Sequence, residues 1–266
     1  MTLADLLYGI ELTLLGVGVG AFSGALGLGG GVLMVPAFLA FVPGMDVHTA
    51  KGASLFIIIF VSLQNALYQN RGPGKPWRLG AVLTLGSVAG SYLSAYVTSL
   101  LTGEVVLFLF IVLLALLAVR TFFLREVEVH ADQVRRRTLV TLLIGLLAGL
   151  TGGATGTGGG AVLIPLALMA GIISNERVVG LSNAVMVFTS IAGSIAHLQA
   201  EPVYPSPWII GHVYLPLAPL LFLGAQLGSP LGYWINHHLT LRRRRIAMAG
   251  MLLLITGQLA YRLLTT

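Results

Sequence analysis

Two apolar stretches of this chain, residues 12–42 and 139–173, contain no charged side chain, exceed the length of a single membrane pass, and are broken alike. The breaks are the clusters Gly27-Leu28-Gly29-Gly30-Gly31 and Gly156-Thr157-Gly158-Gly159-Gly160. A helix crosses a hydrocarbon core roughly 30 Å thick with about 20 apolar residues, and a run of glycines interrupts it because glycine gives up the most backbone freedom in a helix. Six further apolar runs, 48–68, 79–101, 105–124, 178–198, 208–235 and 246–264, have single-pass length. Charged residues make up only 9% of the chain and hydrophobic ones 56%, whereas a soluble domain carries about 25% charge. The runs lack the ten-residue alternation of a barrel. The expected fold is therefore an all-α polytopic membrane protein of eight segments.

The two breaks are copies of one another. A shift of 129 superposes Gly16, Gly20, Gly24, Ala25, Gly27, Gly29, Gly30, Gly31 and Pro36 on Gly145, Gly149, Gly153, Ala154, Gly156, Gly158, Gly159, Gly160 and Pro165. Downstream, Gly52 and Ser54 meet Gly180 and Ser182 at a shift of 128, and Leu85-Gly86 with Gly90-Ser91 meets Leu223-Gly224 with Gly228-Ser229 at 138. The chain reads as two four-segment repeats, residues 1–124 and 139–266, joined by a basic linker at 125–138.

Positive charge orients the halves. If the two broken segments dip in and return on the same side, the cytoplasmic face collects Arg71, Lys75, Arg78, Arg120, Arg125, Arg135, Arg136, Arg137, Arg177, Arg242, Arg243, Arg244 and Arg245, which is 13 of the 15 basic residues. Lys51 and Arg262 remain outside. The repeats are then inverted, with the N-terminus outside and both the 125–138 linker and the 236–245 loop cytoplasmic. Each broken segment becomes a re-entrant hairpin with arms of about 13 residues, or about 20 Å. Irregular backbone at membrane depth is tolerated only inside protein or beside a polar cavity, so the tips mark a site. Met1 to Glu11 carries no Lys or Arg, so it lacks the positive start of a secretory signal and is expected to be retained.

The second arm of each hairpin begins with unpaired peptide N–H groups and the positive end of a helix dipole, which suits an anion. Gly29, Gly30, Gly31, Gly158, Gly159 and Gly160 let backbone approach a ligand closely. Ser54, Thr157, Ser182 and Asn183 are the candidate polar side chains, Asn183 foremost because an amide brings two donors. The small, weakly polar face of Thr84, Ser87, Ser91, Ser94 and Thr98 is read as helix packing. Pro216 and Pro219 are read as a kink in the seventh segment. Lys51 and Arg177 start equivalent helices, and His197 is read as a structural histidine.

Other chemistries are disfavoured. Cysteine is absent, which removes disulfides, thiolate metal sites and thiol nucleophiles. His237 and His238 lack companions at metal-ligand spacing. No cofactor is expected, and no enzyme activity, since buried acid–base pairs are missing. The net charge of +6 lies in clusters between apolar runs, as orientation signals do, so the partner is a lipid bilayer and not nucleic acid.

Gly24-Ala25-Leu26-Gly27-Leu28-Gly29-Gly30-Gly31 with Val35-Pro36, its duplicate through Ile164-Pro165, and the stretches Gly52-Ala53-Ser54 and Gly180-Leu181-Ser182-Asn183 resemble the TauE/SafE family of sulfite exporters and anion permeases. The family pattern often has Thr where this chain has Ala53 and Leu181. The resemblance covers nearly the whole chain. It implies a secondary carrier of sulfite or a related sulfur-containing oxyanion, such as sulfoacetate or another sulfonate, exporting it across a prokaryotic inner membrane by alternating access. It leaves room for a coupling ion, H+ or Na+, and for a homodimer. An anion channel and a non-transporting membrane assembly protein are the alternatives.

Overall fold

The computed structural model describes residues 3–71, 76–122, 138–204 and 206–265; the basic linker, apart from Thr138, lies outside them. The eight expected segments appear as ten helices, because each glycine cluster divides its segment in two. In the first half these are α1 (Leu3–Leu26), α2 (Gly31–Phe41), α3 (Val47–Gln69), α4 (Trp77–Ser99) and α5 (Gly103–Phe122). In the second half α6 (Thr138–Thr155), α7 (Gly160–Met169) and α8 (Asn175–Leu198) lead through a small hairpin, β1 (Ile209–Ile210) and β2 (Val213–Tyr214), to α9 (Leu217–His238) and α10 (Leu241–Thr265). Residues Gly9–Leu26 of α1, together with α3, α4, α6 and α8, are long and apolar enough to cross a membrane. Many large apolar side chains face outward, among them Leu14, Leu85, Leu227 and Leu254, as a lipid-facing surface requires.

Helices of one half pack on helices of the other. α1 lies along α9, and α6 lies along α4, while α3 and α8 cross at the centre and α5 pairs with α10. Glycine makes the first two contacts close. A Cβ at Gly16 or Gly20 would strike the backbone of Leu221 or Ala225, and one at Gly145 or Gly149 the backbone of Leu83 or Ser87. Small residues at these steps let helix backbones approach, so the small face of α4 is a packing surface. Ser87 and Ser91 spend their polarity sideways: Thr189 Oγ1 lies 2.8 Å from Ser87 Oγ, and Ser91 donates to the Thr189 carbonyl at 2.8 Å.

Three boundaries differ from the sequence reading. The hairpin arms are unequal, 24 and 11 residues in the first and 18 and 10 in the second, because α1 begins upstream of its apolar run, at Leu3, and α7 stops short of the end of its run, at Met169. The seventh segment starts at Leu217 and not at 208, since residues 209–214 turn back as a hairpin with Gly211 at φ 58°. Pro216 caps α9 and Pro219 sits in its first turn, where a missing N–H is harmless; the interior proline is Pro230. The basic 236–245 stretch is largely helical, with Leu239 and Thr240 alone between α9 and α10.

Candidate functional site

The two glycine turns share one conformation. Gly27, Gly29 and Gly30 have φ of 72°, 80° and 72°, and Gly156, Gly158 and Gly159 have 76°, 77° and 87°. Leu28 and Thr157, the second residue of each turn, keep negative φ. A side chain in the left-handed region costs about 1–2 kcal/mol per residue, which is why three glycines recur at the same positions.

The turns face each other in the bundle interior. A Cβ at Gly31 would sit 2.5 Å from the Gly156 carbonyl and 2.7 Å from Thr157 Cα, and one at Gly160 would strike the Gly27 carbonyl and approach Leu28 Cα. The N-termini of α2 and α7 thus meet, walled by Ile58 of α3 and Met186 of α8. Hydroxyls lock the arrangement reciprocally: Ser54 donates to the Gly156 carbonyl at 2.8 Å and Ser182 to the Gly27 carbonyl at 2.9 Å. Among the described residues, the N–H groups of Leu33 and Met34 reach Gly30 O, and those of Val162 and Leu163 reach Gly159 O, but no protein acceptor takes those of Gly31, Val32, Gly160 or Ala161.

Nine of the ten sequence-predicted site residues are gathered around these turns: Gly29, Gly30, Gly31, Ser54, Thr157, Gly158, Gly159, Gly160 and Ser182. Thr157 Oγ1 pairs with Thr155 Oγ1 at 2.9 Å. Asn183, the next residue along α8 after Ser182, is buried against the end of α1, where its amide nitrogen reaches the Val179 and Ser23 carbonyls at 3.0 and 3.4 Å and its oxygen accepts from Ser23 Oγ at 3.2 Å.

Several further polar groups lie near the turns. Ser190 Oγ lies 3.2 Å from where a Gly158 Cβ would stand. Ser190 and Ser62 are both fully buried, with hydroxyls lacking a protein partner. They are related by the same shift of 128 as Ser54 and Ser182, and that shift was the available signal. Gln69 donates to Gly24 O at 2.6 Å, beneath the first turn. Arg244, read as a surface cation, is 1% exposed. It donates to Ala25 O at 3.0 Å, Asn175 Oδ1 at 2.9 Å and Asn236 Oδ1 at 2.6 Å.

Lys51 is the corresponding surprise at the second turn. It is 0% exposed, its Cα and Cγ would stand 2.8 and 3.0 Å from a Cβ at Gly156, and its ammonium donates to Thr98 Oγ1 at 2.9 Å. No sequence signal separates it from an interfacial anchor, because only the folding of α4 and the β-hairpin over the start of α3 removes it from solvent. His197 is likewise fully buried, with Nδ1 3.1 Å from Nδ1 of His212 and Nε2 without a partner. Among the described residues no group of three His, Cys, Asp or Glu side chains is arranged to hold a metal ion.

Comparisons with known proteins agree with this architecture. The chain is 28% identical to the probable membrane transporter protein YunE of Bacillus subtilis (strain 168), over 95% of this chain and 97% of that one. It is 26% identical to a probable membrane transporter protein of Methanocaldococcus jannaschii over 91% of each. A probable membrane transporter protein of Haemophilus influenzae is 25% identical over 81% of this chain and 86% of its own length. No solved structure is significantly similar. The family described as "Sulfite exporter TauE/SafE" matches residues 12–259. With its crossing helices and its paired glycine turns, the chain belongs to the TauE/SafE sulfite exporter family and is a multi-pass membrane transporter.

Proposed function

We propose that the chain is a secondary transporter that exports sulfite, or a related sulfur-containing organic anion such as sulfoacetate or another sulfonate, by alternating access across the cell inner membrane. The observation that carries this reading is the head-to-head meeting of the α2 and α7 N-termini, whose first N–H groups lack protein acceptors. Two helix N-termini aimed at one point favour a small anion through oriented dipoles and backbone donors. Gly29–Gly31 and Gly158–Gly160 bind the anion. Thr157 and Asn183 supply flanking polarity. Ser54 and Ser182 now donate to turn carbonyls, so their hydroxyl hydrogens reach the anion only after the turns part.

The inverted-repeat reading has support in the direction of the helices. α1 ends beside Gln69, the last residue of α3, whereas α6 ends beside Lys51 near its start. The two broken segments therefore approach the centre from opposite sides. With the N-terminus outside, the contact between the turns closes the pathway, and rocking of one repeat against the other opens it to each side in turn. The domain boundaries follow at 124 and 139.

The test is anion flux in proteoliposomes. Sulfite or sulfoacetate uptake should saturate and be accelerated by the same anion on the opposite side, a counterflow that an open channel does not give. Replacing both Gly30 and Gly159 by Leu should abolish it, and undiminished flux from folded double variant would overturn the assignment of the turns.

A further inference from the structure

The transport reading leaves a buried basic cluster unused. It lies where α3 begins, where α4 and α8 end, and where the β-hairpin folds over them. His48 and Lys51 come from α3, His197 from α8, and His212 from the turn between β1 and β2. The imidazole of His212 stands 5.2 Å from that of His48 and 5.4 Å from that of His197, ring centre to ring centre. The ionisable groups facing the His197–His212 pair are Asp46, His48 and Lys51, all from the start of α3. Asp46 spends its carboxylate on the N–H groups of His48 and Thr49 and on the Thr49 hydroxyl. α4 contributes the neutral Thr98. A cavity of about 230 Å³, lined in part by Asp46, Thr49, Tyr204 and Tyr214, opens beside the cluster.

The hydrogen-bond geometry leaves ring nitrogens without a hydrogen-bond partner. Two Nδ1 atoms 3.1 Å apart share a single hydrogen, one ring donating and the other accepting. We assign the hydrogen of His212 to its Nε2, toward the backbone of Glu201 near its ring. His197 then supplies the hydrogen between the two Nδ1 atoms, and its own Nε2 is a bare lone pair. That atom is buried without a partner, and so is Nδ1 of His48. An imidazole lone pair without a hydrogen-bond partner is a proton acceptor.

The cluster is also wired to the turn. The His212 N–H donates to the His197 carbonyl at 2.9 Å, and the His212 carbonyl packs on Gly52 so closely that a Cβ there would collide with it. The residue before Gly52 is Lys51, which packs on Gly156, and Ser54 holds the Gly156 carbonyl. Any displacement of the histidines is carried through the first turns of α3 to the second glycine turn.

We propose that His197, with His212, His48 and Lys51, forms the binding site of a coupling proton that this transporter exchanges with water on the face where α3 begins. The proposal rests on the transport reading above. A hydronium ion gives its proton to the bare Nε2 of His197: one hydronium O–H bond breaks, leaving water, as the N–H bond of an imidazolium forms; on release that N–H bond breaks, the lone pair stays on Nε2 and the proton returns to water. The added charge faces Lys51 and pushes the start of α3 and the turn it holds, so proton binding and opening of the turns are linked.

Two readouts test it on the full-length protein. In proteoliposomes at clamped membrane potential, an imposed pH gradient should change the rate of wild-type sulfoacetate flux, and sulfoacetate flux should move protons. His197→Gln should keep sulfoacetate counterflow at equal pH within about twofold while losing most of the pH-gradient response; a full response in His197→Gln overturns the proposal. Independently of any flux, on a pH jump from about 8 to about 4 the purified wild-type protein should take up one proton more than His197→Gln. Equal uptake overturns the site even if transport stands. Absence of wild-type flux with the extra proton present overturns the transport reading alone.

Discussion

Arg244 and Lys51 are both buried cations that touch the shoulders of the glycine turns, and they are solvated by the protein in opposite ways. Arg244 has three acceptors at 2.6–3.0 Å, two side-chain amide oxygens and the Ala25 carbonyl, each placed for one arm of its planar fork. Lys51 has a single hydroxyl, with the field of Asp46 reaching it from five residues earlier. A charge brought out of water is held in place when every donor is matched, and is left sensitive to its surroundings when it is not. The first turn is therefore pinned by its cation, whereas the second turn rests on one whose neighbours are ionisable. The asymmetry lies in the β-hairpin, which among the described residues covers only the Lys51 side.

The largest effect is expected from removing the pinned cation. Arg244→Met strands three acceptors, two of them amide oxygens, at a cost of about 3 kcal/mol or more, while Lys51→Met replaces one lightly bonded ammonium by an apolar chain and should alter stability by less than about 1 kcal/mol. Thermal unfolding in detergent measures both, and equal losses would remove the contrast.

A smaller effect separates the turns themselves. Gly30→Ala and Gly159→Ala each carry the left-handed penalty of about 1–2 kcal/mol. At Gly30 the new methyl meets the Val19 side chain, which can shift, but at Gly159 it meets the Ala148 carbonyl, which cannot. Gly159→Ala should unfold at the lower temperature by several degrees; the reverse order would show that the second turn is the softer.

The smallest effect is a pH dependence at the β-hairpin. Burial, first among the causes, holds the His212 imidazole below its ordinary value of 6.5. The fold thus favours the neutral ring, so the unfolded chain binds the proton more readily. His212 contributes its full share of stability above about pH 6.5 and loses it as pH falls below that value. Unfolding temperatures should decline on acidification through this window, less steeply in His212→Gln.

Much of the fold was legible because membrane helices declare themselves by length and charge. The eight apolar runs, their glycine interruptions and the matching glycine spacing of the two halves were visible, and the ten helices among the described residues follow them. The unequal arms were not, since α1 extends back to Leu3, before its apolar run, and α7 ends at Met169 within its run. The kink assigned to Pro216 and Pro219 proved to be a helix start, because proline is equally at home in a first turn. At the site, the glycines and the Ser54 and Ser182 pair could be found by repetition. Lys51, His212 and Arg244 could not, for each reads as surface charge or loop.

By itself the sequence determined the class of the protein, the segments, and where backbone must take left-handed turns, because these depend on local hydrophobicity and on the steric freedom of glycine. Only the tertiary structure decided that the two turns touch, that each is held by a serine of the opposite half, and that two cations and a pair of histidines are withdrawn from water. Those features arise from helices far apart in the chain packing together, and burial changes the chemistry of a charged or titratable group more than its identity does.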